Sequence, residues 1–298
     1  MRLLVFGGNG QVGHELLRAL QPLGEVVATT RSGTLADGSA CERADFDQPQ
    51  ALTALLDRLR PDRVVNAAAY TAVDRAEQER EAAFRANAQA PGVIAQWCAA
   101  HAVPLVHYST DYVFDGQGTA PYAVDAPTSP LGVYGHSKLA GEQAIAAAGG
   151  QFLIFRTAWV YASHGGNFLR TMLRVGAQRD ELKVVADQVG TPTPAALIAD
   201  VTAQVLGSGT AARGIWHLTA AGQASWHAFA EAIFAQAAGL GLIERAPRVL
   251  PIPSAEYATP ARRPAYSRLD TSTLQRDFGV VLPEWREGLR RVLGELAG

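Results

Sequence analysis

A short apolar run, Arg2-Leu3-Leu4-Val5-Phe6, leads directly into Gly7-Gly8-Asn9-Gly10-Gln11-Val12-Gly13, and helical apolar spacing follows over Glu15–Leu20. No other stretch restricts the fold as tightly. A continuous apolar run reads as a strand buried on both faces, which is the condition of a parallel sheet covered by helices on both sides. The glycines of G-x-x-G-x-x-G permit a tight turn and a close backbone approach, and the helix start offers N–H groups to a pyrophosphate. A purely structural glycine turn is the other reading. With a strand before it and a helix after it, the turn favours a dinucleotide site at Gly7, Gly10, Gln11, Val12 and Gly13.

The strand–helix alternation continues to residue 157. Strands are expected at Glu25–Thr29, up to Asp45-Phe46-Asp47, at Arg63–Asn66, Val103–Ser109 and Phe152–Arg156. Helices are expected at Pro49–Leu59, Asp74–Gln96 (with Pro91 as a break or kink) and from Lys138 to Ala148. This predicts an α/β fold, a Rossmann-type doubly wound parallel sheet. At 298 residues the chain fits one large domain or two closely joined ones. The expected division is a cofactor domain over 1–157, with segments around 182–240 also packing onto it, and a smaller α/β substrate domain formed mainly by 158–298. In that half, helices are expected at Asn167–Arg179, Ala195–Leu206, Thr271–Phe278 and Glu284–Leu296. Asp187–Pro194 and Pro251–Pro264 read as loops. Gly214–Leu218 reads as a strand returning to the sheet, with Trp226–Ala238 as its helical cover.

Composition excludes several function classes. A net charge of −2 with no basic block argues against a nucleic-acid partner. No apolar stretch approaches the ~20 residues of a membrane helix, and the apolar start is interrupted by glycines too early for a signal peptide. Two cysteines, Cys41 and Cys98, lack C-x-x-C spacing, which points to a reducing, cytoplasmic compartment.

The ends of the strands carry the candidate chemistry, because ligands of open α/β sheets bind at the carboxyl edge. Thr29-Thr30-Arg31-Ser32 offers no carboxylate for a ribose 2′-hydroxyl. Arg31 is either a fork for a 2′-phosphate, which favours NADPH over NADH, or a solvated loop residue. Asp45 and Phe46 hydrogen-bond and cover an adenine, or Asp47 simply caps the next helix. Small residues Ala67, Ala68 and Ala69 let a cofactor lie against the backbone. Thr110 ends the fifth strand, followed by Asp111 and Tyr112. Tyr134 and Lys138 stand four apart on a helical stretch and share one face. A nearby cation stabilises a phenolate, which makes a Tyr usable as a proton donor or acceptor; an exposed Tyr–Lys helical pair of no consequence is the other reading. Asp115–Thr128 reads as a loop over this site. Trp159, just past a strand end, suits the apolar face of a sugar or simple core packing. Arg262 and Arg263 are diphosphate contacts or solvated charges.

Together, G-x-x-G-x-x-G, Thr110, Tyr134 and Lys138 resemble the extended short-chain dehydrogenase/reductase family. Val65–Asp74, Tyr108–Phe114, Tyr134–Glu142, Phe155–Tyr161, Asp187–Gly190 and Ala261–Pro264 extend the resemblance nearly end to end. They are similar to the branch that reduces the 4-keto group of dTDP-linked 6-deoxysugars. The resemblance implies that Tyr134 protonates the C4 oxyanion, Lys138 holds the ribose hydroxyls, and Thr110 polarises the carbonyl. It further implies that Thr110, Asp111, Tyr112, Trp159 and Arg263 line the dTDP-sugar site. Related dehydratases carry Thr-Asp-Glu where this chain has Thr110-Asp111-Tyr112, and an epimerising relative uses a Cys that neither Cys41 nor Cys98 is placed to supply. Simple reduction is the implied chemistry. Another nucleotide-sugar reductase or epimerase, or a non-catalytic NADP-binding regulatory subunit, stands as the alternative. Some family members bind Mg²⁺ through clustered Glu residues at a dimer interface. Glu15 and Glu295 match two positions, but Ala196 stands at the third. The metal and its dimer are therefore in doubt, which leaves a monomer or homodimer.

Overall fold

The computed structural model describes residues 1–298. Its centre is a seven-stranded sheet made of β1 (Arg2–Phe6), β2 (Glu25–Thr30), β3 (Glu42–Arg43), β4 (Arg63–Asn66), β5 (Leu105–Thr110), β6 (Phe152–Thr157) and a last strand, Gly214–His217. The spatial order is 214–217, β6, β5, β4, β1, β2, β3, and every pairing is parallel. The order reverses between β1 and β4, which sets a crevice at the carboxyl ends of those strands.

Side-chain alternation along β1 shows why the run is continuously apolar. Leu3 and Val5 point into one core, shared with Ile198, Val201 and Val205 of the helix Ala195–Gly207 and with Leu274. Leu4 and Phe6 point into the other, with Leu52, Leu56, Ile94 and Ile145 from the helices Ala51–Leu59, Ala90–Ala100 and Val133–Ala148. A third core gathers Tyr161, Leu169, Phe229, Phe234, Trp285 and Leu289 away from the sheet.

Several sequence expectations need correction. The cover of strand 214–217 is the helix Ala195–Gly207; the helix Trp226–Gly239 packs in the third core. Of the stretch around 182–240, Ala195–Gly207 and Gly214–His217 pack on or join the sheet, whereas Leu182, Val184 and the apolar face of the helix Trp226–Gly239 lie in the third core. The helix Ser272–Phe278, through Leu274, joins the sheet instead. Two stretches lacking a sequence signal, Glu181–Val185 and Arg248–Ile252, form a parallel pair, the second reaching into the expected Pro251–Pro264 loop. The third strand ends at Arg43, short of Asp45–Asp47. Pro91 sits at the start of the helix Ala90–Ala100, directly after a π-helical turn over Arg85–Gln89.

Asn167 joins the two halves. Its Oδ1 caps the helix Phe168–Gly176 by accepting the Arg170 N–H (3.0 Å), and its Nδ2 donates to Gln11 Oε1 (2.9 Å) on the first helix, Gln11–Ala19. No helix is long and apolar enough to cross a membrane.

Candidate active site

The glycine turn is shaped by contacts a side chain would forbid. Gly7 has φ +86°, and a Cβ there would lie 2.7 Å from the Ala68 nitrogen, so the turn abuts the end of β4. A Cβ on Gly13 would meet the Gly7 carbonyl oxygen at 2.0 Å, so the first helix can sit directly on the turn. Gly10 caps this helix without a side-chain hydrogen bond, which leaves its first N–H groups available to an anion. These features fit a dinucleotide pyrophosphate.

Other expected cofactor contacts are placed less freely. Arg31 is largely exposed and faces two carboxylates, Asp45 at 3.7 Å and Asp47 at 3.4 Å. Phe46 is buried, its ring set edge-on to Phe6 at 5.6 Å. Its ring packs in the core, so the expected cover over an adenine is not offered by an open face of this side chain.

The second part of the site lies at the ends of β5 and β6. Thr110 donates to Asp111 Oδ1 (3.0 Å) and accepts the Tyr112 N–H (3.2 Å). The rings of Tyr112 and Tyr134 meet edge to face at 5.5 Å. Burial pushes the Tyr134 phenol up to about 12; the Thr110 hydroxyl opposes the shift and the Asp111 charge adds to it. Burial likewise pushes Asp111 up to about 6, opposed by the nearby Ser267 hydroxyl and by the Thr110 hydrogen bond. Asp111 Oδ2, Ser109 Oγ and Thr157 Oγ1 are buried with no protein partner. Such groups are scarce in folded proteins and suit a polar ligand at this edge.

Lys138 is buried in the helix Val133–Ala148, one turn beyond Tyr134. Its Nζ donates to the Tyr108 carbonyl (2.6 Å) and lies 3.4 Å from His107 Nε2. Burial lowers it to about 8, with Glu142 opposing. The expected cation beside the phenol is thus held on the strand side, and Lys138 is not among the groups that shift Tyr134.

Two expected sugar-site residues have internal partners. Arg263 grips Asp74 with both nitrogens (3.0 and 2.7 Å) and also donates to Thr259 Oγ1 (2.6 Å). Trp159 adopts φ +49° and stacks on Trp226 with centroids 3.5 Å apart, so one indole face is covered by protein. Arg263 and Asp74 still lie close enough to Tyr112 to act on its phenol, which burial raises. The loop 115–128 is pinned rather than loose: Tyr122 pairs with Leu269, and Arg156 donates to the Val124 carbonyl (3.0 Å).

The two acids matched to a metal site are each engaged by protein groups. Glu15 accepts from His164 (3.0 Å) and faces Arg18, while Glu295 accepts from Ser163 (3.0 Å) and faces Arg291. Asp200 bridges Arg18 and Arg291. Ala196 is buried and brings no oxygen. The donor set therefore does not fit a hard divalent cation, which requires several oxygen ligands. His14, Glu15 and His164 do offer ligand atoms within 4.8 Å of one another.

The description "RmlD substrate binding domain" matches residues 1–297. A dTDP-4-dehydrorhamnose reductase of Burkholderia thailandensis is 48% identical over 299 aligned residues, covering 96% of each chain. The chain belongs to the dTDP-4-dehydrorhamnose reductase family. Among solved structures, the Clostridium acetobutylicum dTDP-4-dehydrorhamnose reductase has a TM-score of 0.90 at 35% identity, with 100% of each chain covered. The Bacillus anthracis dTDP-4-dehydrorhamnose reductase, solved in complex with NADP, has a TM-score of 0.89 at 32% identity over 99% of each chain.

Four residues around Tyr134 and Lys138 escaped the sequence reading as site residues. Asn66 and His107 stand behind Lys138 (Asn66 Nδ2 to His107 Nδ1, 3.1 Å). Asn87 holds both the Tyr70 backbone (N–H to Oδ1, 2.8 Å; Nδ2 to O, 3.0 Å) and Ser137 Oγ (2.9 Å), and Ser137 in turn donates to the Tyr134 carbonyl (2.8 Å). A polar residue in an apolar helical stretch was the available signal at Asn87. His107, a His inside an apolar strand, gave a similar one.

Proposed function

We propose that the protein reduces the 4-keto group of dTDP-4-dehydro-6-deoxy-L-mannose with NADPH, giving dTDP-L-rhamnose; NADH is the second cofactor it can use. The observation that carries this reading is the half-buried Tyr134 ring, its phenol raised by desolvation, beside the Thr110 hydroxyl, with Lys138 one turn on and Tyr112 where an eliminating relative needs an acid. Bound NADPH supplies the hydride. Thr110 and Tyr134 receive the substrate oxygen, and the Tyr134 hydroxyl gives its proton to that oxygen as negative charge develops. A phenol raised to about 12 holds its proton at neutral pH, as a general acid must. Lys138 is assigned the ribose hydroxyls. Gly7, Gly10, Gln11, Val12 and Gly13 carry the pyrophosphate, with Ala67, Ala68 and Ala69 flanking it, and Arg31 the 2′-phosphate. Asp45 and Phe46 complete the adenosine side through backbone and carboxylate. Asp111, Tyr112, Trp159 and Arg263 form the sugar-nucleotide side, residues 1–157 being the cofactor domain and 158–298 mainly the substrate domain. The protein acts as a monomer or a homodimer.

NADPH oxidation in the presence of the dTDP-4-keto sugar tests the assignment. Tyr134→Phe is expected to lower kcat by about 10²–10⁴-fold while NADPH affinity, measured by fluorescence titration, stays near wild type. Turnover of a GDP- or UDP-keto sugar without turnover of the dTDP sugar would transfer the protein to another nucleotide-sugar reductase.

A further inference from the structure

The hydrogen-bond chain behind Lys138 can be read proton by proton. A backbone N–H can only donate, and the Ala68 N–H points at Asn66 Oδ1 (3.1 Å). That fixes the Asn66 amide: its Nδ2 faces His107 Nδ1 at 3.1 Å and must donate there. His107 Nδ1 is then an acceptor, so the imidazole is neutral and carries its hydrogen on Nε2. That Nε2–H faces Lys138 Nζ at 3.4 Å. An ammonium in this place would set two donors against each other. An amine instead accepts from Nε2–H, donates one hydrogen to the Tyr108 carbonyl (2.6 Å), and keeps one N–H for a ligand.

We propose that His107, locked by Asn66 as the Nε2–H tautomer, is a positioning residue for Lys138 that favours its amine over its ammonium form. Asn66 and His107 are about 1% exposed, so water does not scramble the tautomer. The titratable and charged groups around Lys138 are few. His107 comes from β5. Tyr134 lies one turn back on its own helix and Glu142 one turn on. Glu142 is held by Arg156 of β6 in a buried two-point pair (2.9 and 2.7 Å), so much of its charge is already answered. The shift of Lys138 toward about 8 by burial acts in the same direction as the tautomer. The chain begins at Ala68, in the small-residue segment assigned to the cofactor. Contact there and the protonation of Lys138 are therefore linked through three side chains. This inference rests on the proposed function only in taking Lys138 as a site residue.

The test is direct. With ¹⁵N-labelled histidine, two-bond ¹H–¹⁵N correlation spectra report the tautomer of each imidazole, and loss of one signal set in His107→Gln assigns it. His107 is expected neutral with hydrogen on Nε2 from pH 6 to 9. Asn66→Asp keeps the shape and replaces the donor with an acceptor. It is expected to move the hydrogen to Nδ1, let Nε2 accept from the Lys138 ammonium, and raise the Lys138 titration, followed by its side-chain ¹³Cε shift, by a unit or more. The Lys-dependent limb of the kcat–pH profile should move the same way. A wild-type His107 with hydrogen on Nδ1, or an imidazolium, overturns the proposal without any variant. So does an Asn66→Asp protein whose Lys138 titration is unmoved. Absence of turnover with the dTDP-4-keto sugar alongside the expected tautomer would instead overturn the assigned activity.

Discussion

Asp111 shows how much the strand end asks of single residues. Its carboxyl is buried against Thr110 and Ser267 and raised to about 6, and one oxygen has no protein partner. In the unfolded chain the same group titrates near ~3.9. Between those two values the folded state holds a proton that the unfolded state has lost, so this group contributes decreasing stability as pH rises from about 4 to 6. Two pKa units correspond to about 3 kcal/mol. Asp111→Asn should remove that slope: relative to wild type, its unfolding free energy from urea titration is expected to rise by up to ~3 kcal/mol between pH 3.5 and 7. An unchanged difference between the two proteins across that range would show that Asp111 is not raised. Tyr134, Lys138 and Thr110 were legible because residue type and spacing are visible in the chain. Where Lys138 points was not, since Tyr108 and His107 reach it from a strand about thirty residues earlier.

The helix Val133–Ala148 places Tyr134 and Lys138, and its seat is set by one glycine. A Cβ on Gly141 would lie 2.0 Å from the Asn87 carbonyl oxygen. Residue 91 is Pro, so that carbonyl cannot receive an ordinary helical hydrogen bond from four residues on, and the chain passes through a π-helical turn there. The same turn aims the Asn87 side chain at Tyr70 and Ser137. Gly141→Ala is therefore expected to cost about 1–3 kcal/mol of stability and to lower kcat, because the helix that carries Tyr134 and Lys138 must move outward. A Tm and kcat equal to wild type would show that the helix seat tolerates a methyl group. Most elements were legible for a common reason: β1, β4, β5 and β6 are apolar runs buried on both faces and ended by glycine or polar residues. Arg248–Ile252 was not, because Pro251 lies in it and a proline speaks against a strand. The two-residue bridges at Val160–Tyr161, Val189–Gly190, Thr193–Pro194 and Ala224–Ser225 are too short for any periodicity.

At the scale of the whole molecule, the halves meet across polar contacts as well as the packed cores. Arg18, Asp200, Arg291 and Glu295 link three helices, and Ser163 and His164 close the circuit to Glu295 and Glu15. The arginines are half exposed, so each pair contributes little, on the order of 0–1 kcal/mol. The circuit matters more for what it excludes. With Glu15 and Glu295 facing Arg18 and Arg291, EDTA is expected to leave kcat and Tm unchanged, and a loss in either that Mg²⁺ restores would show that these acids hold a metal. Which helix covers which strand was not legible, because the helices at 195–207 and 226–239 are both broadly apolar and carry the same signal, and only the tertiary path tells them apart. Asn167 carries this joining to its limit. One side-chain amide is both the cap of the helix Phe168–Gly176 and the clasp on Gln11. In engineering terms, a chimera joined near residue 158 would inherit a foreign residue at that amide and lose the start of a helix and the grip on the helix that follows the glycine turn in one exchange. The two halves are thus one unit of inheritance, to be recombined only with position 167 and position 11 taken from the same parent.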